Sequence, residues 1–227
     1  MTLPPTASPP QKTRPARRGR PPAAETGLVE ERMLDAATTL FLEQGFGRTT
    51  LDKVSQLSGA GKSALYSRYA DKAALFATVV ERSIQKMFAD MSPTPADIDV
   101  RKRLRHVGVE LANSLLVPRC IALMRITAAE ASNFPDLASM AYRVSFEGSV
   151  RCVARALAPD RLADPTDIAC SVAARFVELA LQPISFQATF ATDFEVLRDR
   201  CADHVDDAIF YLDAKGLLRP WDLPAQP

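Results

Sequence analysis

Between Thr49 and Lys72 the chain reads TTLDKVSQLSGAGKSALYSRYADK, and no other stretch restricts its fold as tightly. Thr50 stands where a hydroxyl can accept an orphan backbone N–H and start a helix. Leu51, Val54 and Leu57 follow at i, i+3 and i+6, predicting one buried face over two turns. Gly59 and Gly61 bracket a turn in which a residue without Cβ can take positive φ. A second helix is expected from Lys62 to Tyr69, with Leu65 and Tyr69 turned inward and Lys62, Ser63, Ser67 and Arg68 turned outward. Two short helices joined in this way form a helix-turn-helix, and the outer face of the second is the face that enters a DNA major groove.

Helical periodicity continues on both sides. Met33, Leu34, Ala37, Leu40 and Phe41 repeat along a helix predicted from Gly27 to Gly45, which Gly45 ends, with Phe46 as an apolar plug. Asp71 caps a long helix from Lys72 to about Met91, striped by Phe76, Val80, Ile84, Met87 and Met91. Ser92-Pro93-Thr94-Pro95 stops it. Residues 25–91 therefore read as a DNA-binding domain with its helix-turn-helix at about 50–69.

Residues 96–218 carry further helical stripes. Val100, Leu104, Val107, Leu111 and Leu115 mark one helix, ended by Pro118, and Ile121 to Ala131 a second. Leu137 to Ala158 suggests a third. A fourth, from Thr166 to about Gln187, is apolar over more than half its circumference, with a kink expected at Pro183. Phe194 to Leu212 gives a fifth, ended by Gly216, and 219–227 reads as a loose tail with Trp221 tucked back. Only 9 glycines and an aromatic share of 7% argue against a sheet protein, so the fold class is all-α.

The net charge of +1 hides an uneven distribution, because residues 1–23 hold five basic residues and no acid. Residues 1–24 are proline-rich and basic, and cannot bury enough apolar surface to fold alone. Within this arm Arg17, Arg18, Gly19, Arg20 and Pro21 resemble the core of an AT-hook, an extended segment that lies in the A·T-rich minor groove. Glycine would let the backbone approach the groove floor, and arginine is drawn by its negative potential. A basic tail that touches only phosphates is the competing reading.

Catalytic and metal chemistry find no purchase in the pattern. Gly61-Lys62-Ser63 resembles the end of a phosphate-binding loop, but Gln56 stands where that loop needs glycine, and a helix precedes it. His106 and His204, isolated from any partner motif, cannot staff acid–base chemistry. Cys120, Cys152, Cys170 and Cys201 are spaced for neither zinc nor a disulfide scaffold and read as reduced thiols of a cytoplasmic protein. No cofactor is implied. Neither a membrane span nor a signal peptide is expected.

Leu34, Ala36-Ala37, Leu40-Phe41, Gly45-Phe46, Thr49-Thr50-Leu51, Val54, Gly59, Lys62, Leu65-Tyr66, Tyr69, Lys72 and Leu75 together resemble the N-terminal pattern of TetR-family transcriptional regulators. The run from Arg125 to Leu137, with Glu130-Ala131 and Phe134-Pro135, is similar to a signature of the AefR-like C-terminal domain within that family. The resemblance implies a three-helix head joined by a long fourth helix to a helical ligand-binding and dimerisation domain. It also implies a homodimer through the last two long helices, a double-stranded DNA operator and a small apolar or amphipathic effector. Lys62, Ser63, Ser67 and Arg68 become candidates for base edges, and Thr50, Tyr66 and Lys72 for phosphates. Met124, Phe134, Phe146, Phe176 and Phe186 are the candidate pocket lining. The alternative class is an architectural A·T-rich minor-groove binder led by the arm.

Overall fold

A computed structural model of the chain describes residues 23–95, 97–159, 167–190 and 193–222. The basic arm with Arg17, Arg18, Gly19 and Arg20 lies outside them. Among the described residues every regular element is helical: α1 (Ala23–Arg48), α2 (Leu51–Ser58), α3 (Lys62–Tyr66), α4 (Lys72–Ala89), α5 (Val100–Leu115), α6 (Pro118–Ala129), α7 (Pro135–Leu157), α8 (Asp167–Ala180), α9 (Gln182–Phe190), α10 (Phe194–Asp199) and α11 (Cys201–Ala214). This is the all-α architecture expected, with α1–α3 as head, α4 as connector and α5–α11 as body.

The head forms around α1. Met33, Ala37 and Phe41 are wholly buried there, and Phe41 meets Phe76 of α4 edge-on at 4.7 Å. Gly45 breaks the helical path with φ +75°, the left-handed region open to glycine, and so delivers Phe46 onto the same cluster. Phe46 packs against Phe76 at 5.4 Å. Each such aromatic pair adds about 0.5–1.5 kcal/mol beyond simple burial.

The body is built on α5, α7, α8 and α11. Leu104 and Leu111 of α5, Leu157 of α7, Phe176 of α8 and Leu212 of α11 are all fully buried. Two glycines set how closely helices approach. A Cβ at Gly108 of α5 would fall 2.7 Å from Phe176 Cζ and 2.9 Å from Val205 Cγ1. A Cβ at Gly148 of α7 would fall 2.2 Å from Phe88 Cε2, so α7 lies directly against the end of α4. The buried Arg103 closes the C-terminal end of α7, donating to the carbonyls of Ala156 at 2.7 Å and Leu157 at 3.3 Å, and to Ile98 at 2.7 Å.

Several boundaries differ from expectation. Leu57 is 55% exposed, and the buried face of α2 is instead Leu51, Val54, Ser55 and Ser58. The fourth body helix breaks at Leu181 rather than at Pro183, which is the second residue of α9, a position where its missing N–H is tolerated. The fifth body helix breaks at Arg200 into α10 and α11. By length and composition alone Ile168–Phe190 could pass for a membrane span. Its packing is that of a core helix, with Ala169, Ala173, Phe176 and Ile184 fully buried.

The segment from 219 is not loose where described. Gly216 takes φ +68° and ends α11, with the N–H of Leu217 reaching back to the Leu212 carbonyl at 2.9 Å. Leu218 is then fully buried, and Trp221 packs on the body core. Arg101 of α5 clasps the turn, pairing with Asp213 at 2.5 Å and Asp222 at 2.7 Å. These two partners raise the pKa of the Arg101 guanidinium. The same contact holds the exposed Asp213 carboxyl below its ordinary 3.8.

Candidate DNA-reading face and effector cavity

The reading face is assembled by local rules. Thr50 is the N-cap of α2, its hydroxyl accepting from the Lys53 N–H at 3.3 Å. Gly59 ends α2 with φ +66°, whereas Gly61 takes an ordinary φ of −63° as N-cap of α3. Leu65 and Tyr69 anchor the motif inward, at 0% and 5% exposure.

Lys62, Ser63 and Ser67 are exposed as expected. Ser67 donates to the Ala64 carbonyl at 3.0 Å. Lys62 pairs with Asp52 of α2 at 2.8 Å, and that carboxylate holds its ammonium above the ordinary lysine range. Both partners are well exposed, so the pair is worth little and can open to a base edge. Tyr66 is 52% exposed and points away from the core.

Two residues are placed differently. Helix α3 ends at Tyr66, so Arg68 leaves on a turn instead of the helical face, and its guanidinium pairs with Glu30 of α1. Lys72 sits at the start of α4 and donates to the carbonyls of Phe46 at 2.8 Å and Gly47 at 3.2 Å. Its ammonium also lies 4.3 Å from the centre of the Phe46 ring. It braces α4 against the end of α1, with one N–H of its three left over.

A cavity of about 400 Å³ opens between α4, α6, α7 and α9. Its wall includes Val80, Ser83, Ile84 and Met87 of α4, and Met124, Phe146 and Phe186 from the candidate lining. The other two candidates lie elsewhere. Phe176 is fully buried in the body core near Gly108. Phe134, at the start of α7, packs into the head, edge-on to Phe46 at 5.0 Å. Leu123 of α6 and Leu137 of α7 are buried in the same head cluster. Size and apolarity alone could not separate these cases.

Cys120 lines the cavity, and burial pushes its thiol above the ordinary value, the reverse of activation. Burial does the same for Cys152 and Cys201. His106 and His204 each bury Nε2 without a hydrogen-bond partner among the described residues, and neither borders the cavity.

Known proteins carry the same two parts in the same order. The family model described as bacterial regulatory proteins, tetR family, matches residues 33–79. The model described as AefR-like transcriptional repressor, C-terminal domain, matches residues 102–212. The chain is 28% identical over 206 residues to the HTH-type transcriptional regulator YezE of Bacillus subtilis (strain 168), covering 86% of this chain and 100% of that one. Among solved structures, the flavonoid-responsive regulator FrrA superposes with a TM-score of 0.61 at 25% identity, over 88% of this chain and 100% of that chain. A TetR-family regulator from Mesorhizobium loti superposes with a TM-score of 0.66 at 19% identity, over 87% and 98%.

Proposed function

Because this chain belongs to the TetR family of bacterial regulatory proteins, we propose that it is a homodimeric repressor that leaves a pseudopalindromic operator when a small apolar or amphipathic effector fills the cavity. One observation carries this reading: α4 belongs to both sites. Leu75, Phe76 and Val79 of that helix are buried in the head cluster. Val80, Ser83, Ile84 and Met87, the next turns of the same helix, line the cavity. A molecule that fits one position of α4 better than another changes the placement of α2 and α3, and so couples the two sites.

In this reading Lys62, Ser63 and Ser67 meet base edges, while Thr50, Tyr66 and the remaining N–H of Lys72 meet phosphates. Arg68 reaches DNA only by releasing Glu30. The apolar outer faces of α8–α9 and α11 support pairing with a second copy, since Ile168, Phe186, Phe190 and Phe210 are 62%, 70%, 72% and 76% exposed. Such a dimer sets two reading helices about 34 Å apart, one turn of DNA. The chain acts in the cytoplasm, where its operator lies. The likeness to the flavonoid-responsive regulator FrrA supports a small-molecule effector here too.

Footprinting with the full-length chain on the intergenic DNA beside its own gene tests the proposal. A repressor protects one discrete near-palindrome, and an added effector removes that protection. Broad coating of A·T-rich DNA led by Arg18-Gly19-Arg20 would instead establish the architectural reading, which the family match does not favour.

A further inference from the structure

Among the described residues, the wall of the cavity against α4 contains no Asp, Glu, Lys, Arg or His. A cation or carboxylate entering it would lose hydration and gain no ionic partner, a transfer that is strongly unfavourable. Arg119 donates from Nη2 to Ser83 Oγ at 3.4 Å but is not part of the lining.

The hydroxyl groups of the wall fall into two kinds. Ser83, Thr127 and Thr189 donate to carbonyls of their own helices, Val79 at 2.7 Å, Leu123 at 2.8 Å and Ser185 at 2.9 Å. Ser145 and Ser149, one turn apart on α7, and Ser185 of α9 line the cavity and make no side-chain hydrogen bond among the described residues. A helical serine commonly donates back to the preceding turn. Three that do not, in an apolar chamber, are available to a guest, and the two on α7 stand together. Beside Ser145 and Ser149 the wall carries Tyr142 and Phe146, whose rings stack 5.7 Å apart with 15° between their planes, so this side of the chamber is aromatic. Gln182 of α9 donates to the Tyr142 hydroxyl at 3.2 Å, tying α9 to α7 at the rim.

We infer that the effector is an uncharged, planar aromatic molecule bearing hydroxyl or carbonyl oxygens, and that Ser145 and Ser149 bind those oxygens. The inference deepens the effector reading above and rests on it. A cavity of about 400 Å³ falls within the roughly 300–1,000 Å³ usual for small-molecule sites. Flat aromatic guests stack on flat aromatic walls, and two neutral donors one helical turn apart suit oxygens at separate ring positions.

Isothermal titration of the full chain without DNA tests it, using a dihydroxyflavone, 2-phenylnaphthalene as an oxygen-free planar analogue, a quaternary ammonium of similar size and palmitate. The dihydroxyflavone is expected to bind. Ser145→Ala and Ser149→Ala, which retain the helix, should each weaken it about three- to tenfold, as loss of one hydrogen bond does. The affinity of 2-phenylnaphthalene should not respond to either change. Failure of the dihydroxyflavone to bind, binding indifferent to both substitutions, or tighter binding of the cation or the carboxylate overturns the inference. DNA binding measured without any probe reports on the regulator separately. A chain that binds DNA but fails the titration loses only the effector class, and one that passes the titration but ignores DNA loses the regulatory reading.

Discussion

The contact between Phe134 and Phe46 crosses from body to head, and its energy can be measured. Phe134→Leu and Phe46→Leu keep apolar bulk while removing the ring edges. Phe46 also meets Phe76 at 5.4 Å, Phe41 at 5.9 Å and the Lys72 ammonium at 4.3 Å. Its replacement should therefore cost about 2–3 kcal/mol, against about 1 kcal/mol for the half-buried Phe134. The two share one edge-to-face pair at 5.0 Å. The double variant should lose less than the sum, by about 0.5–1.5 kcal/mol. Urea denaturation of the full chain followed by circular dichroism gives the four free energies. Additivity within about 0.3 kcal/mol would refute the reasoning, because it would mean that Phe134 does not support the head.

Gly108→Val should destabilise by about 2–3 kcal/mol despite the better helix former, since even a Cβ would sit 2.7 Å from Phe176 Cζ. In a chain of this length that lowers the melting temperature by roughly 5–10 °C, checked by calorimetry. Lys72→Met should cost about 1–3 kcal/mol by leaving the Phe46 and Gly47 carbonyls without their donor, read by the same denaturation. Lys62→Ala should weaken operator binding by about 1–3 kcal/mol and relax specificity at one position of the site, as loss of a base-edge contact does, read by titration with operator variants. The depressed Asp213 carboxyl contributes stability that is complete above its ordinary 3.8 and is lost as pH falls through its lower folded value. Emission from Trp221, the single tryptophan, should shift to the red only below that pH, and a shift beginning near neutrality would contradict the clasp.

Most of the head was readable because its signals are local. The Thr50 cap, the positive φ of Gly59 and the inward Leu65 and Tyr69 each depend on neighbours a few residues away. Leu57 departs from the expected buried face because a step of six residues turns a helix about 120° off the starting face, whereas Ser55 and Ser58 return close to it. Arg68 escaped because its partner Glu30 is 38 positions earlier, and no local pattern announces where a five-residue helix stops. The cavity was legible only in part. Met124, Phe146 and Phe186 border it, but Phe134 and Phe176 are equally large and apolar and fill space elsewhere. The free Ser145 and Ser149 had no sequence mark at all, since only tertiary packing turns one face of α7 toward an opening.

Gly148 brings α7 so close to the Phe88 ring that the far end of α4 is pinned. With that end as fulcrum, Ile84 stands four residues along the arm and Lys72 sixteen, about 6 Å and 24 Å at helical rise. A guest that displaces Ile84 by a fraction of an ångström thus swings the head by about four times as much. In a pair of subunits the two swings would add across the spacing that DNA must match. On the proposed mechanism a cavity of modest size would then disengage the protein without any large rearrangement around the guest itself.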